Sequence, residues 1–114
     1  MVNNGSRAHN LFVADLSSGN IYQLSADGQS TFGSGVRSPH GLAFDSAGNL
    51  FVASTGSGVI YEITPDGAQS IFASGLSAPY GLAFDRAGDL FEADLNSGNI
   101  YEFTPDGARS LRIR

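Results

Sequence analysis

The chain has 114 residues, 41% of them hydrophobic and only 15% charged, and its net charge is −5. No basic stripe is present that could replace the counterions of a nucleic acid or bind an anionic membrane surface, so both partners are excluded. There is no cysteine, no apolar run near the ~20 residues of a spanning helix, and no apolar stretch after Met1–Arg7 that would make a signal peptide. The sequence leaves the compartment unknown, and without a signal peptide the chain as written would be cytoplasmic.

Residues 1–9 are polar, and we expect them to be irregular or disordered. From residue 10 onward the sequence repeats itself. The segment Gly41–Asp45 recurs as Gly81–Asp85, and residues 41–72 and 81–112 are identical at 21 of 32 positions. A third, earlier copy begins near Leu11, so an internal repeat of about 40 residues organises the chain.

One period contains four short apolar segments, each bounded by Gly, Asp, Asn, Ser or Pro. In the middle period they are Gly41–Asp45, Leu50–Ser54, Val59–Thr64 and Ala68–Ser74. Their Phe, Ile, Val and Tyr content predicts β-strands, and the intervening residues predict tight turns. The first period lacks an obvious first strand, because the aligned residues 2–6 are polar. The sequence predicts an all-β chain of four-stranded antiparallel sheets.

The repeat resembles the blades of NHL-type and gluconolactonase (SMP-30)-like β-propellers, and also those of virginiamycin-lyase-like proteins. The residues that carry the resemblance are Gly-Leu-Ala-Phe-Asp-x-Ala-Gly-[Asn/Asp]-Leu-Phe followed by Ser-Gly-x-Ile-Tyr. It implies a three-blade propeller fragment over residues 10–114, with blades at about 10–40, 41–80 and 81–114. Such folds serve many functions, so the resemblance predicts architecture rather than activity.

Three blades make an open arc with an exposed sheet at each end. Propellers have about four to eight blades, and two copies of this chain would supply six. We therefore expect a homodimer that closes a six-bladed ring, using the same joint twice. The sequence is equally compatible with a truncated or engineered piece of a longer propeller.

Antiparallel pairing places the turn after each second strand on the same side as the link that leads to the next blade. That side collects the candidate ligand-binding residues at the channel mouth, which are His40, Tyr80, Asp15, Asp94 and Asn96. Asp15 and Asp94 also suit a structural role as Asx turns, since a feature repeated in each blade usually serves the blade.

His40 and Tyr80 occupy equivalent positions in Ser-Pro-His-Gly and Ala-Pro-Tyr-Gly. In gluconolactonase-like enzymes, the matching positions hold metal-binding Asn or Asp. A neutral phenol is a poor ligand for a hard cation, and a catalytic metal needs about three protein ligands, so no metal site or cofactor is predicted. Ca²⁺ or Zn²⁺ at His40, or His40 as a general base, is the alternative that the resemblance implies.

The last blade departs from the repeat at two apolar positions. Glu92 stands where Val13 and Val52 stand in the other blades, and Arg112 stands where Phe32 and Phe72 stand. A buried lone charge costs several kcal/mol, so Glu92 and Arg112 are predicted to form an ion pair or to lie at a wet interface.

Three functions remain open from the sequence. The first is a non-enzymatic, self-assembling module that acts as a scaffold or a recognition surface for a protein or carbohydrate. Near-identical blades favour it, because an enzyme site draws unlike residues from each blade. The alternatives are a gluconolactonase- or lyase-like hydrolase with a metal at the channel mouth, and a lectin-like ring in which Tyr80 stacks on a sugar.

Overall fold

The computed structural model describes residues 2–3 and 10–113, with side chains for residues 10–112. Its twelve strands form three separate four-stranded antiparallel sheets in which neighbours in sequence are neighbours in space. The all-β class and the four-stranded sheets predicted from the repeat are confirmed. No helix in the described part of the chain is long and apolar enough to cross a membrane.

The strands of the first sheet are β1 (Val2–Asn3), β2 (Leu11–Asp15), β3 (Asn20–Ser25) and β4 (Gly28–Gly33). Those of the second are β5 (Pro39–Phe44), β6 (Leu50–Ser54), β7 (Val59–Ile63) and β8 (Gln69–Ala73). Those of the third are β9 (Pro79–Phe84), β10 (Leu90–Asp94), β11 (Ile100–Phe103) and β12 (Arg109–Ile113). We call these sheets the first, second and third blades.

The first blade does have a first strand, contrary to the sequence expectation. Val2 pairs with Val13 and Asn3 with Phe12 at the edge of the sheet. Strand pairing uses backbone N–H and C=O groups, so a segment of two residues can complete a sheet without an apolar pattern that predicts it. The other residues of the expected irregular segment 1–9 lie outside the described residues.

The first period of the repeat is 39 residues long and the second is 40, and this difference of one residue falls in a hairpin turn. In the first blade, Ser25 pairs directly with Gly28, which leaves a two-residue turn. In the second blade, the amide of Thr64 donates to the carbonyl of Ala68 at 2.9 Å, which leaves a three-residue turn. The repeat therefore absorbs its change of length in a loop, without altering the pairing of the strands.

The apolar core lies between the blades. Phe12 of the first blade contacts Phe32 of the same blade and Phe44 of the second, with ring centroids 5.1 and 5.0 Å apart. One blade further on, Phe51 makes the equivalent contacts with Phe72 and Phe84 at 5.0 and 4.9 Å. Each inter-blade core thus combines two aromatic rings from one blade with one from the next, in the edge-to-face geometry that aromatic pairs prefer.

The second blade is buried on both faces, whereas the outer blades are not. All five residues of β6 are buried. In the third blade, Phe91 and Ile100 are only half-buried and Ala93 is exposed, although their counterparts Phe51, Ile60 and Ala53 are buried. The chain therefore exposes a sheet face at each end of the arc.

Candidate functional site

The turns after the second strands and the links between blades lie on one side of the molecule, as predicted. The amide of Val36 donates to the carbonyl of Gly19 at 3.1 Å, and that of Leu76 donates to the carbonyl of Gly58 at 3.0 Å. The amide of Thr55 donates to the carbonyl of Ser38 at 3.1 Å. Each link is thus tied both to the turn of its own blade and to the turn of the next. We call this side the link face.

His40 and Tyr80 meet on the link face, although they belong to different blades. Their rings stack with centroids 4.3 Å apart and planes 27° from parallel. His40 is half-buried, while Tyr80 is 40% exposed. The two equivalent positions that the sequence singled out therefore form one aromatic pair.

The hydrogen bonds around His40 determine which ring nitrogen carries the proton. Nδ1 lies 2.9 Å from Oγ1 of Thr55 and 3.1 Å from the carbonyl of Ser38. The Thr55 hydroxyl donates its own proton to the carbonyl of Pro79 at 2.6 Å, so it can only accept from the histidine. Both neighbours of Nδ1 are acceptors, and Nδ1 must therefore be protonated. In neutral His40 this leaves Nε2 with a free lone pair.

The backbone beside His40 is held in an uncommon conformation. Ser38 has a φ of 51°, in the left-handed region that non-glycine residues rarely adopt. Its carbonyl is directed at both the Thr55 amide and the His40 ring. This conformation costs of order 1 kcal/mol. It orients the Ser38 carbonyl, and the carbonyl in turn holds the imidazole in position.

Asp94 is a buried structural clamp. Its carboxylate accepts hydrogen bonds at 3.1 Å from the amides of Ser77, Ala78 and Ser97. Burial opposes its ionisation, but the amides of Ser97, Ala78 and Ser77 outweigh burial and hold the pKa of Asp94 below its ordinary value. These bonds join the third blade to the link from the second blade. Because the Asp94 carboxylate already accepts three backbone hydrogen bonds, its role is structural.

Asp15 and Asn96 lie at turns of the same face. Asp15 accepts from the amide of Ser17 at 3.1 Å in an Asx turn. Hydrogen bonds from Ser18 and Ser17 lower its pKa. Asn96 is exposed and its amide makes only a long contact, 3.4 Å, with Oγ of Ser77. Neither side chain joins the His40–Tyr80 pair through a hydrogen bond in the described residues.

Thr55 is the residue of this site that sequence reasoning missed. It stands where the other blades have Leu16 and Leu95, both exposed leucines. The replacement of leucine by threonine in one copy of the repeat is as clear a departure as Glu92 or Arg112. This departure could have identified Thr55 as a candidate site residue from the sequence.

The predicted ion pair between Glu92 and Arg112 is not formed. Nε of Arg112 lies 3.2 Å from Oε1 of Glu102, on the open face of the third blade. Glu92 is fully buried on the opposite face of the same sheet, and neither of its carboxylate oxygens has a hydrogen-bond partner among the residues that the structure describes. Neighbouring residues of a strand point to opposite faces, and Glu102 pairs with Phe91, so Arg112 lies across the sheet from Glu92.

The environment of Glu92 favours its neutral form. Burial and, secondarily, the negative charge of Asp94 raise the pKa of Glu92 to about 7. The backbone of Tyr80 and the cation of Arg109 oppose this rise only in part. Below about pH 7, a protonated carboxyl group therefore stands in the core between the second and third blades, where the other blades have valine.

The residues around His40 do not fit a metal ion. Its bonded neighbours are a threonine hydroxyl and a backbone carbonyl, and its ring stacks on a phenol. Among the described residues, the one group of three or more potential His, Cys, Asp or Glu ligands is Asp85, Asp89 and Glu102. Asp85 and Asp89 lie at the two ends of the turn between β9 and β10, away from the link face.

No model of a known protein family and no curated protein matches the chain in sequence. Solved structures do match it in fold. Selenomethionine-substituted virginiamycin B lyase from Staphylococcus aureus superposes with a TM-score of 0.86 at 19% identity, covering 99% of this chain and 40% of that one. A streptogramin B lyase gives 0.86 at 20% identity, covering 96% of this chain and 39% of that one.

A putative gluconolactonase gives a TM-score of 0.78 at 19% identity, covering 92% of this chain and 44% of that one. The three sheets are therefore blades of a β-propeller with the gluconolactonase-like fold, as predicted. The chain spans about two fifths of the length of these structures. At such identities the likeness establishes the fold alone.

Proposed function

We propose that the chain is a non-enzymatic β-propeller module that associates with a second copy of itself, two chains completing a six-bladed ring that serves as a scaffold or recognition surface. The observation that carries this proposal is the contrast between equivalent positions in the second and third blades. Phe51, Ala53 and Ile60 are at most 4% exposed beneath the third blade. The same sheet face of the third blade, which we call the third-blade end face, is open.

The opposite end of the arc is open in a complementary way. Leu11 and Leu24 of the first blade are 41% and 36% exposed, while their counterparts Leu50 and Ile63 are fully buried. Leu50 and Ile63 belong to the face of the second blade that packs on the first. Leu11, Val13, Tyr22 and Leu24 thus form a first-blade end face of the type that packs on the preceding blade.

A second copy suits both ends because the repeat has already built the same joint twice within the chain. The first-blade end face of one chain corresponds to the surfaces that pack on the first and second blades internally. Apolar sheet faces left open promote association, and burying a Leu or Phe side chain contributes about 1.5–3 kcal/mol. A pair of chains has two such joints, related by two-fold symmetry.

Two glycines at equivalent positions of the repeat, Gly41 and Gly81, allow the joint between chains to be tested by adding a methyl group. A methyl group added at Gly41 would lie 2.2 Å from the carbonyl oxygen of Tyr80, so Gly41→Ala should force the second and third blades apart at a cost of about 2 kcal/mol. At Gly81, the nearest atom would be Cβ of Ala93 at 3.8 Å. Gly81→Ala should therefore leave the thermal unfolding of the isolated chain nearly unchanged while weakening self-association.

Sedimentation equilibrium of the two variants, with circular dichroism as the folding control, distinguishes these effects. Self-association that survives Gly81→Ala unchanged would mean that the third-blade end face does not form the joint. If Gly41→Ala also unfolds at the same temperature as the unmodified chain, the packing between the second and third blades is looser than described.

A second candidate function is favoured by the geometry of His40. A half-buried imidazole whose Nδ1 proton is fixed by two acceptors presents Nε2 as a base, which is the arrangement that general-base catalysis uses. One structural neighbour is a catalytically inactive histidine-to-alanine variant of virginiamycin B lyase from Staphylococcus aureus with quinupristin, which superposes with a TM-score of 0.83 at 20% identity over 99% of this chain and 40% of that one. This candidate is a lyase- or lactonase-like enzyme in which His40 is the base.

Consumption of quinupristin, followed by mass spectrometry, tests this candidate. We expect activity in the unmodified chain, its loss in His40→Ala, and a lower rate in Thr55→Val, which removes an acceptor for the Nδ1 proton. Tyr80→Phe retains the stacked ring and should retain the rate. Absence of turnover in the unmodified chain, or equal turnover in His40→Ala, would remove this candidate and leave the non-enzymatic module.

A further inference from the structure

One groove on the link face of the third blade corresponds to a position that the first two blades fill from within the chain. Its lining includes Tyr80, Ala93, Leu95, Gly98 and Ile100, and its volume is about 360 Å³. We call it the link groove. It lies on the opposite side of the third-blade turn from Ala78, whose carbonyl accepts from the amide of Leu95 at 2.8 Å.

In the first blade, the equivalent groove holds Val36, which is fully buried and packs in the same core cluster as Ile21. In the second blade it holds Leu76, which is 8% exposed and packs in the same cluster as Ile60. Both residues follow a glycine with positive φ, Gly35 and Gly75. The occupant is thus an aliphatic residue that a preceding glycine turns into the groove.

The glycines in the turns after the second strands show the same difference between the filled grooves and the open one. A methyl group on Gly19 would lie 2.7 Å from the carbonyl oxygen of Val36, and one on Gly58 would lie 2.3 Å from that of Leu76. At Gly98, no atom of the described residues lies within 4 Å of the added methyl group. All three glycines have φ between 72° and 75°, so the receiving turn keeps its shape whether or not a link lies against it.

We propose that the link groove is a docking site for an extended peptide segment of the chain's own link type, in which glycine precedes valine or leucine. The aliphatic side chain enters between Ile100 and Leu95, and its backbone amide donates to the carbonyl of Gly98. The internal links supply the template, with the equivalent hydrogen bonds at 3.1 and 3.0 Å. This recognition combines main-chain hydrogen bonding at a preformed turn with a pocket for one side chain.

The aromatic pair extends the same template. Tyr80, which follows Leu76 by four positions, stacks on His40. One side of the Tyr80 ring lies against His40, and Tyr80 also lines the link groove. A docked segment that carries an aromatic residue four positions after its leucine would stack on Tyr80 in turn. Residues 74–80 of the chain, Ser-Gly-Leu-Ser-Ala-Pro-Tyr, have this sequence.

The test is titration of the full chain, labelled with ¹⁵N, with a synthetic peptide of residues 74–80. We expect saturable shifts of the Leu95, Gly98 and Ile100 amide signals at millimolar peptide, and none with the same peptide carrying Leu76→Asp. Ile100→Asp in the protein should abolish the shifts, whereas Ile71→Asp, at an exposed strand position, should not. Equal shifts with both peptides, or no shifts with either, would overturn the proposal.

A covalent version removes the entropic cost of bringing the peptide to the protein. Appending Gly-Leu-Ser-Ala-Pro after Arg114 places leucine 40 residues after Leu76, in register with the repeat. We expect the thermal midpoint to rise by on the order of 5 °C relative to the same tail with Asp in place of Leu. Equal midpoints would contradict docking. Ala93 and Ile100 also lie on the third-blade end face, so both experiments are repeated in the Gly81→Ala variant, in which self-association is weakened. Docking that is retained in this variant is independent of the proposed dimer.

Discussion

Replacing Glu92 with valine should raise the free energy of unfolding by about 3 kcal/mol at pH 8. The carboxyl group is fully buried and has no hydrogen-bond partner within the described part of the chain, and its pKa rises from 4.5 to about 7 on folding. A rise of that size corresponds to roughly 3 kcal/mol of stability lost once both states are ionised. Valine already occupies the equivalent, fully buried position 52. Chemical denaturation at one fixed protein concentration measures the difference.

The pH dependence of the unmodified chain has a definite sign. Below pH 4.5, Glu92 is protonated in both states and its charge costs nothing. As the pH rises from 4.5 to about 7, the unfolded chain ionises while the folded chain keeps its proton, so stability falls. Above the folded pKa the loss is complete. The stability of Glu92→Val should change much less between pH 5 and pH 8.

Glu62 provides the matched control. Burial, and secondarily the charge of Asp45, also raises the pKa of Glu62, but this residue is only half-buried. Glu62→Gln should therefore change stability at pH 8 far less than Glu92→Val does. If Glu92→Val is no more stable than the unmodified chain, or keeps its full pH dependence, the carboxyl group is solvated or paired and the described core is wrong.

Replacing Asp94 with alanine should lower the free energy of unfolding by about 3 kcal/mol. The carboxylate accepts three backbone hydrogen bonds, two of them from the link between the second and third blades. Hydrogen bonds to charged groups contribute about 1.5–3 kcal/mol each, and removing the acceptor leaves buried amides such as that of Ala78 without a partner. Thermal or urea unfolding at pH 7 measures the loss.

Asp15 is the control for this substitution, since it occupies the same position of the repeat. It is half-exposed and caps its own turn, so Asp15→Ala should cost far less stability than Asp94→Ala. The pKa of Asp94 is lowered, so its contribution is present at neutral pH and is lost as the pH falls below 3.8 through the folded pKa. Asp94→Ala should flatten that acid limb. Equal costs for the two substitutions would contradict the clamp.

Much of the fold follows from the repeat alone. The strand Leu50–Ser54 was predicted with its observed bounds, and the side of the molecule that gathers the links follows from antiparallel pairing. These features depend on local composition and on the alternation of strands, both of which a sequence displays. The short strand Val2–Asn3 was missed because its stabilising contacts are backbone hydrogen bonds to β2.

The site was only partly predictable. His40 and Tyr80 were identified, but their stacking depends on how far one blade is rotated relative to the next, which no local pattern encodes. The ion pair between Glu92 and Arg112 was predicted wrongly for a different reason, whereas the alternative, an interface at the last blade, stays a prediction. Strand alternation places Glu92 on one face and Phe91 on the other, and Arg112 stands in a position that packs beside Phe91 in the repeat. Tracing that alternation would have paired Arg112 with Glu102.

In the proposed ring, two open sheet faces join one chain to another. Light scattering behind size exclusion measures the mass of the unmodified chain in solution. The proposal predicts a species of two chains, twice the 11.9 kDa of one, across a range of concentrations. A well-folded species of 11.9 kDa that persists at the highest concentration would contradict it.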